Sequence, residues 1–285
     1  MMTATGQAQT TGRLLFGASP AVSTQSFERS PWRLTVQTRL QMGRILRGWS
    51  RDVTTALEAL VVPMALLFTL NLVLGKGISQ VSGHSALYGS VPMVAMVGAM
   101  SGATVSGLAL MRERTGGLLS RLWVLPVHRA SGMFSRVAAD AARIFLTTVA
   151  ILCVGLLLGF RFRQGVAESL AWLFVPVVFG LAFCTFINTI ALYVTKVIVV
   201  ESTAQIYALL MFFCTGFVPL DQYPSWIQPV VKHQPLTYAV EAMRGLALGG
   251  PLLSPMTGLL MWSAGIIAVC AIPLAYGYRR ASMRG

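Results

Sequence analysis

Residues 112–132, RERTGGLLSRLWVLPVHRASG, separate two apolar runs and themselves carry both arginines and leucines. The flanking runs, about 87–110 and 137–160, are each long enough to cross a bilayer as a helix, which takes roughly 20 mostly apolar residues. A charged segment between two such runs cannot stay in the lipid. The chain must therefore turn at a membrane surface here, and the sides of the membrane on which the other loops lie follow from this turn.

Within this segment the pattern predicts a short amphipathic helix. Leu118, Leu122 and Leu125 fall on one helical face, Trp123 lies beside them, and Pro126 ends the helix. Two interpretations remain open from the pattern alone. The helix either lies flat on the lipid or presents its apolar face to a partner.

The whole chain has the composition of an integral membrane protein. Of its 285 residues 55% are hydrophobic and only 11% are charged, against about 25% charged in soluble domains. Six stretches have the length and polarity of spans: 54–74, 87–110, 137–160, 170–195, 204–220 and 252–276. We therefore predict an all-α fold with a six-span transmembrane domain at 54–276.

The distribution of Lys and Arg predicts the orientation. With the N-terminus in the cytosol, sixteen of these residues fall on the cytosolic side and five on the other. This asymmetry accounts for the net charge of +13 without a nucleic-acid ligand. We expect a disordered cytosolic tail at 1–30, a basic cytosolic tail at 277–285, and a plasma-membrane location.

Residues 31–53 predict an amphipathic helix that lies in the cytosolic membrane interface. Arg44, Arg47 and Arg51 cluster on one side at helical spacing, whereas Trp49 belongs to the apolar side. These four residues are the predicted membrane-interface residues. The alternative is a solvated charged helix.

Residues 221–250 predict a re-entrant hairpin on the external face. Pro224, Pro229 and Pro235 divide this segment into apolar pieces that are too short to span the membrane. Two short helices ended by the glycines at 249 and 250 fit this pattern.

Polar residues inside the spans are candidates for function. Glu58, Asn71 and Asn188 are the predicted polar residues of a translocation path, because each needs a partner in lipid. Asp140 and Arg143 are three residues apart on one helix, a spacing that permits an ion pair.

A stripe of small residues at Gly98, Gly102 and Ser106 predicts close helix packing on the second span. Packing within the chain and packing against another subunit both fit the stripe.

The sequence lacks the usual marks of an enzyme. It has no G-x-x-x-x-G-K-[ST] phosphate loop, no H-E-x-x-H and no G-x-S-x-G. The four cysteines lie in apolar runs without metal-ligand spacing, and we interpret them as buried thiols. We therefore predict no catalytic, cofactor-binding or metal-binding residues in this chain.

Two motifs resemble the ABC-2 type transporter permeases of the daunorubicin-resistance (Drr) type. The first is LMRERTGGLLSRLWVLPVHRASG at 110–132, and the second is HQPLTYAVEAMRG at 233–245. The resemblance covers about residues 32–285. The segment TKVIVVESTAQ at 195–205 departs from the Asn-Pro-rich link of many members, which leaves the role of Glu201 open.

The resemblance implies a six-span permease subunit of an exporter for a hydrophobic substrate, either a complex lipid such as phthiocerol dimycocerosate or an anthracycline-like drug. It implies two copies of a DrrA-like ATP-binding subunit, which use ATP and Mg, and a DrrB-like second permease that completes a heterodimeric membrane core. The segment at 112–132 would then couple this chain to the ATPase. Its implied contact residues are Arg112, Glu113, Arg114, Leu118, Arg121, Leu122, Trp123, Leu125 and Pro126.

The alternatives to an exporter are a stand-alone carrier or channel and, less well supported, a membrane-embedded enzyme of lipid metabolism. The sequence of a carrier is expected to contain internal repeats or several charged residues within the spans. An enzyme needs His, Asp or Glu residues that converge at one membrane depth. The sequence shows neither pattern.

Overall fold

The computed structural model describes residues 31–51, 53–82, 85–118, 131–216 and 218–283. The predicted tail at 1–30 and the middle of the coupling segment, 119–130, lie outside the described residues. That gap contains Arg121, Leu122, Trp123, Leu125 and Pro126.

The described chain is built of helices joined by short links. The α-helices are α1 (Pro31–Arg51), α2 (Val53–Ser82), α3 (Leu87–Thr115), α4 (Ser131–Leu157), α5 (Val166–Tyr193), α6 (Val197–Phe212), α7 (Gln228–His233), α8 (Pro235–Leu248) and α9 (Leu253–Met283), with a short 3-10 helix at Leu220–Gln222.

Four of these helices are long and apolar enough to cross a membrane: α3, α4, α5 and the Leu253–Ala281 part of α9. Two shorter apolar stretches, Val61–Val73 within α2 and Val197–Phe212, correspond to the first and fifth predicted spans. An all-helical, multi-pass membrane protein is thus confirmed for the described residues.

The fifth predicted span begins earlier than the sequence pattern indicated. The prediction placed its start at residue 204, whereas α6 already begins at Val197. The run VIVVEST contains no Gly or Pro that would break a helix. The link between α5 and α6 is consequently only residues 194–196, and Glu201 lies on α6 rather than in a loop.

Helix α3 forms the centre of the bundle. It packs against α2, α4, α5, α6 and α8, and most of its side chains are buried. Gly, Ala and Ser recur along its sequence, and such small residues let neighbouring helices approach closely. By contrast, α9 presents large apolar side chains outward, as a lipid-facing helix does.

The two ends of the bundle differ in charge and in composition. At one end, here called the basic end, Leu110 of α3, Leu192 of α5 and Leu274 of α9 form a small buried cluster. The basic residues of this end are Arg44, Arg47, Arg112, Arg114, Arg136, Lys196, Arg279 and Arg280.

At the opposite end, here called the hairpin end, the Tyr88 hydroxyl donates to the Arg161 carbonyl at 2.9 Å. There the Arg163 N–H also donates to the Ala247 carbonyl at 2.9 Å. These bonds attach the start of α3 and the α4–α5 link to the end of α8.

The hairpin itself consists of two short helices, α7 and α8. Both carry proline in the first turn. A backbone N–H there has no acceptor within the helix, so its absence in proline costs no helical hydrogen bond. Gly249 follows α8 with a φ of 86°, a conformation that favours glycine. The Tyr223 hydroxyl and the Gln234 amide donate to the carbonyls of Cys214 and Phe213, so the hairpin holds the end of α6.

One close contact at the hairpin end gives a test of this packing. Gly89 of α3 faces the backbone carbonyl of Gly216 so closely that a Cβ would overlap the oxygen. We expect Gly89→Ala to destabilise the protein by about 1–3 kcal/mol, since the backbone must move. Thermal unfolding in detergent measures the effect. Gly265→Ala, where a Cβ meets nothing within 4 Å, is the matched control, and equal unfolding temperatures would contradict the packing.

Candidate coupling site

Glu113, a predicted coupling residue, lies between two arginines from other helices. Its carboxylate is 3.6 Å from the Arg44 guanidinium on α1 and also pairs with Arg136 on α4. Arg136 is buried and donates a second bond, of 3.4 Å, to the Ser106 carbonyl. One carboxylate at the end of α3 therefore joins α1 to the start of α4.

Arg114, the next charged residue, binds the end of α5. Its guanidinium donates to the carbonyls of Ala191 at 3.2 Å, Val194 at 2.7 Å, and Leu192. The last carbonyls of a helix have no partner within the helix. Arg114 supplies these partners from a different helix, so the end of α5 is fixed to the end of α3.

A second set of polar contacts continues into the bundle. Asp140 is 1% exposed and accepts a 3.0 Å bond from the Ser106 hydroxyl. The Arg143 guanidinium lies 3.8 Å from the other oxygen of Asp140, in keeping with the predicted pair. It also lies 3.8 Å from the Cys184 sulfur and above the Trp49 ring, 5.4 Å from its centroid.

The small-residue stripe on α3 faces α4 within the same chain. At Gly98 a Cβ would meet Ile151 and Thr147 at 3.0 and 3.1 Å. At Gly102 it would overlap the Arg143 guanidinium, so the absence of a side chain at this glycine leaves the space that the arginine fills. Ser106 completes the stripe by its bond to Asp140.

Of the remaining predicted residues, Asn188 and Trp49 lie against the Asp140–Arg143 pair, whereas Asn71 and Glu58 lie on α2. Asn188 is buried beside Asp140, whereas half-buried Asn71 lies on α2 next to Gly75. Glu58 lies on α2, and its side chain is outside the described part of the structure. Trp49, a predicted membrane-interface residue, is half-buried and packs under Arg143.

Sequence reasoning did not find three contributors to this site. In the sequence Arg136 stands out only as a basic residue, and its pairing with Glu113 joins residues 23 positions apart. Cys184 was treated as an apolar side chain, and the Arg114 acceptors are backbone carbonyls. The only available signal was that Arg136, Asp140 and Arg143 recur at helical spacing on one face.

The hairpin end has its own half-buried charges, away from the candidate coupling site. The Thr215 hydroxyl donates to Glu241 at 3.3 Å, and Arg244 donates to the Thr215 carbonyl at 2.6 Å. Burial raises the pKa of the Glu241 carboxyl, while the Thr215 hydroxyl and Arg244 act in the opposite direction. These contacts fasten α8 to the segment that follows α6.

The chain belongs to the ABC-2 type transporter family, whose model matches residues 36–248. Over 270 residues it is 50% identical to the "Probable doxorubicin resistance ABC transporter permease protein DrrC" of Mycobacterium tuberculosis, covering 91% of this chain and 98% of that protein. It is also 23% identical over 235 residues to the "Daunorubicin resistance ABC transporter permease protein DrrB1" of Streptomyces coeruleorubidus, covering 82% and 83%. The predicted Drr-type resemblance is thus confirmed.

The Glu113 contacts lead to a prediction on stability. Glu113→Gln removes the acid between Arg44 and Arg136, and the buried guanidinium of Arg136 then loses the carboxylate with which it forms a salt bridge. We expect a loss of about 1–3 kcal/mol, seen as a lower unfolding temperature in detergent.

Glu201→Gln is the matched control, because Glu201 is exposed on α6. If Glu113→Gln and Glu201→Gln unfold at the same temperature, the pairing does not stabilise the basic end.

Proposed function

We propose that this chain is the permease subunit of an ABC exporter that moves a hydrophobic substrate outward across the plasma membrane. ATP hydrolysis takes place in a separate subunit. One observation carries the proposal: the central helix α3 ends in Glu113 and Arg114, which bind α1, α4 and the end of α5. A force applied at this end reaches several spanning helices at once, as transmission from an ATPase requires.

The distribution of charge between the two ends of the bundle supports the proposal that the basic end lies in the cytosol. Arginines and lysine crowd the ends of α1, α3, α5 and α9, in line with the excess of positive residues on cytosolic loops. In this orientation both termini are cytosolic and the hairpin of α7 and α8 is external. The outward-facing side chains Trp32 and Leu40 of α1 suit a helix at the membrane interface.

The proposed complex contains two copies of a DrrA-like ATP-binding subunit and a DrrB-like second permease. ATP and Mg belong to the ATP-binding subunits, and this chain contributes the coupling surface. The names of the similar proteins support a role in drug resistance, since both specify resistance to an anthracycline.

An apolar groove supports the proposed substrate class. Helices α5 and α9 form a groove of about 460 Å³ lined by apolar and aromatic side chains that include Phe186, Met261, Trp262 and Ile266. Such a surface suits an anthracycline-like drug or a long-chain lipid such as phthiocerol dimycocerosate better than an ion or a sugar. The proposed substrate class therefore includes both the anthracycline-like drug and the long-chain lipid.

Transport coupling is testable in inverted membrane vesicles that contain the full complex. ATP should drive doxorubicin uptake, and Trp123→Ala in the coupling segment should lower uptake and transport-linked ATP hydrolysis several-fold while the protein stays in the membrane. Trp226→Ala, on the external hairpin, is the control. Unchanged turnover by an assembled Trp123→Ala complex would rule out the coupling assignment.

The orientation is testable by labelling intact cells with a membrane-impermeant maleimide. A cysteine in place of Gln222, exposed at the hairpin end, should react without permeabilisation. A cysteine in place of Arg279, exposed at the basic end, should react only after permeabilisation. The parent chain measures the background from its own four cysteines, and the reverse pattern would overturn the topology.

A further inference from the structure

We propose that Glu201 of α6 is the counter-ion for the ammonium group of a cationic, otherwise apolar substrate. The exposed face of α6 that carries Glu201 is then the surface that this substrate contacts. The inference rests on the proposed function, because it names a substrate class for the same exporter. It also gives a role to a residue in the segment 195–205, which departs from the pattern of many family members.

One face of α6 is used for packing inside the bundle. The buried residues of this face are Val200, Thr203 and Met211. At Gly107 of α3 a Cβ would lie 3.5 Å from the Val200 side chain, and the Tyr207 ring meets the Phe183 ring of α5 at a centroid distance of 6.2 Å. These contacts fix the rotation of α6 about its axis, and therefore fix which residues point away from the bundle.

The opposite face of α6 is exposed and changes in polarity along its length. Its residues recur every three or four positions, which is the spacing of one helical face: Glu201, Gln205, Leu209 and Phe212. Glu201 and Gln205 lie in the half nearer the basic end, and the two apolar residues lie nearer the hairpin end. At 1.5 Å per residue, Glu201 and Phe212 are about 16 Å apart along the helix axis. The face therefore offers a carboxylate at one end and an apolar surface with an aromatic ring at the other.

The Glu201 carboxylate has no cation of its own within the described residues. None of them, Lys196 included, forms an ion pair with it, whereas Glu113 and Asp140 each lie beside an arginine. A carboxylate on an apolar helix is costly against lipid, and it is also costly in a protein contact that leaves it unpaired. The exposed face of α6 is thus suited to a ligand that brings a positive charge.

The rest of the face indicates what kind of cation it suits. A carboxylate binds an ammonium group by charge-assisted hydrogen bonds, which are stronger than those between neutral groups. Leu209 and Phe212 can then cover the apolar part of the same molecule. A metal ion would gain nothing from these two side chains, and a neutral lipid would leave the carboxylate unpaired. The face therefore fits an organic amine with an apolar body.

The groove between α5 and α9 does not select for such a charge. Its lining residues, which include Phe186, Met261 and Trp262, are all uncharged. The groove therefore accepts cationic and neutral apolar molecules through the same kind of contact. Glu201 distinguishes between them, which makes it a specificity-determining residue.

Binding of two related drugs to the purified full complex in lipid nanodiscs tests the inference. Doxorubicin carries an amine that is cationic at neutral pH, and N-acetyldoxorubicin has the same ring system with a neutral amide in place of the amine. Glu201→Gln should weaken doxorubicin binding several-fold, measured by the fluorescence of the drug, and leave N-acetyldoxorubicin binding unchanged. Glu201→Asp, which keeps the charge, should restore most of the doxorubicin affinity. Asp221→Asn, which removes an exposed carboxylate at the hairpin end, is the matched control.

The apolar end of the face has a different expected result. Phe212→Ala should weaken the binding of both drugs to a similar extent, because they share the ring system that this side chain contacts. Unchanged binding of both drugs by a folded Phe212→Ala complex would show that the substrate does not lie along α6.

A photoreactive amino acid at Gln205 identifies what covers the face in the full complex. We expect it to crosslink to lipid, and we expect this crosslink to fall when doxorubicin is added. Capture of the second permease that doxorubicin leaves unchanged would show that protein covers the face. Lipid capture that doxorubicin leaves unchanged would show that the drug does not reach it. Either result would overturn the inference.

The remaining outcomes separate the inference from the proposed function. An equal loss of both drugs in Glu201→Gln means that the residue acts on the fold or the membrane surface, and no loss means that it is not a counter-ion. In both cases the inference is wrong, and the proposed function stands if the parent complex still takes up doxorubicin with ATP. A parent complex that neither binds nor takes up either drug would contradict the inference and the proposed drug export together.

Discussion

Charges placed inside an apolar bundle must find partners within the protein, and this constraint organises the basic end of the molecule. An isolated buried charge is far more costly than one that is paired and hydrogen-bonded. Here Glu113 pairs with Arg44 and Arg136, and Asp140 accepts from Ser106 and lies 3.8 Å from Arg143. The polar contacts run from the surface of the coupling segment into the helix interior.

The same contacts explain why one helix dominates the architecture. Helix α3 supplies Glu113, Arg114 and Ser106, and through them it binds α1, α4 and α5. Its small residues allow this close packing, most clearly at Gly102, where the space is filled by Arg143. Movement at the end of α3 is therefore not local, and the transport proposal follows from that connection.

Much of this fold follows from the sequence, because spanning helices leave a strong signal. The apolar runs predict α3, α4, α5 and α9 with ends that differ from the structure by up to about seven residues, and the prolines predict the two short helices of the hairpin. The predicted start of the fifth span, at residue 204, is wrong because α6 begins at Val197. The β-branched residues before position 204 include no Gly or Pro that would end a helix, and periodicity alone cannot show where a helix begins. The match to the family confirms the resemblance that two motifs indicated.

The candidate site was less predictable, because its contacts depend on tertiary structure. The sequence identified Glu113 and Arg114 as important but could not show that their partners are Arg136 and the last carbonyls of α5. Those partners lie 23 and up to 80 residues away in the chain. A helical wheel shows which residues share a face, but it does not show which helix that face meets.

We propose that this chain works only as part of an ABC complex. The first experiment is to tag the chain, extract it in mild detergent and identify the co-purifying proteins by mass spectrometry. We expect a Walker-motif ATP-binding subunit and a second six-span permease in the purified complex. Recovery of the chain alone, in good yield and folded, would contradict it and would favour a stand-alone carrier.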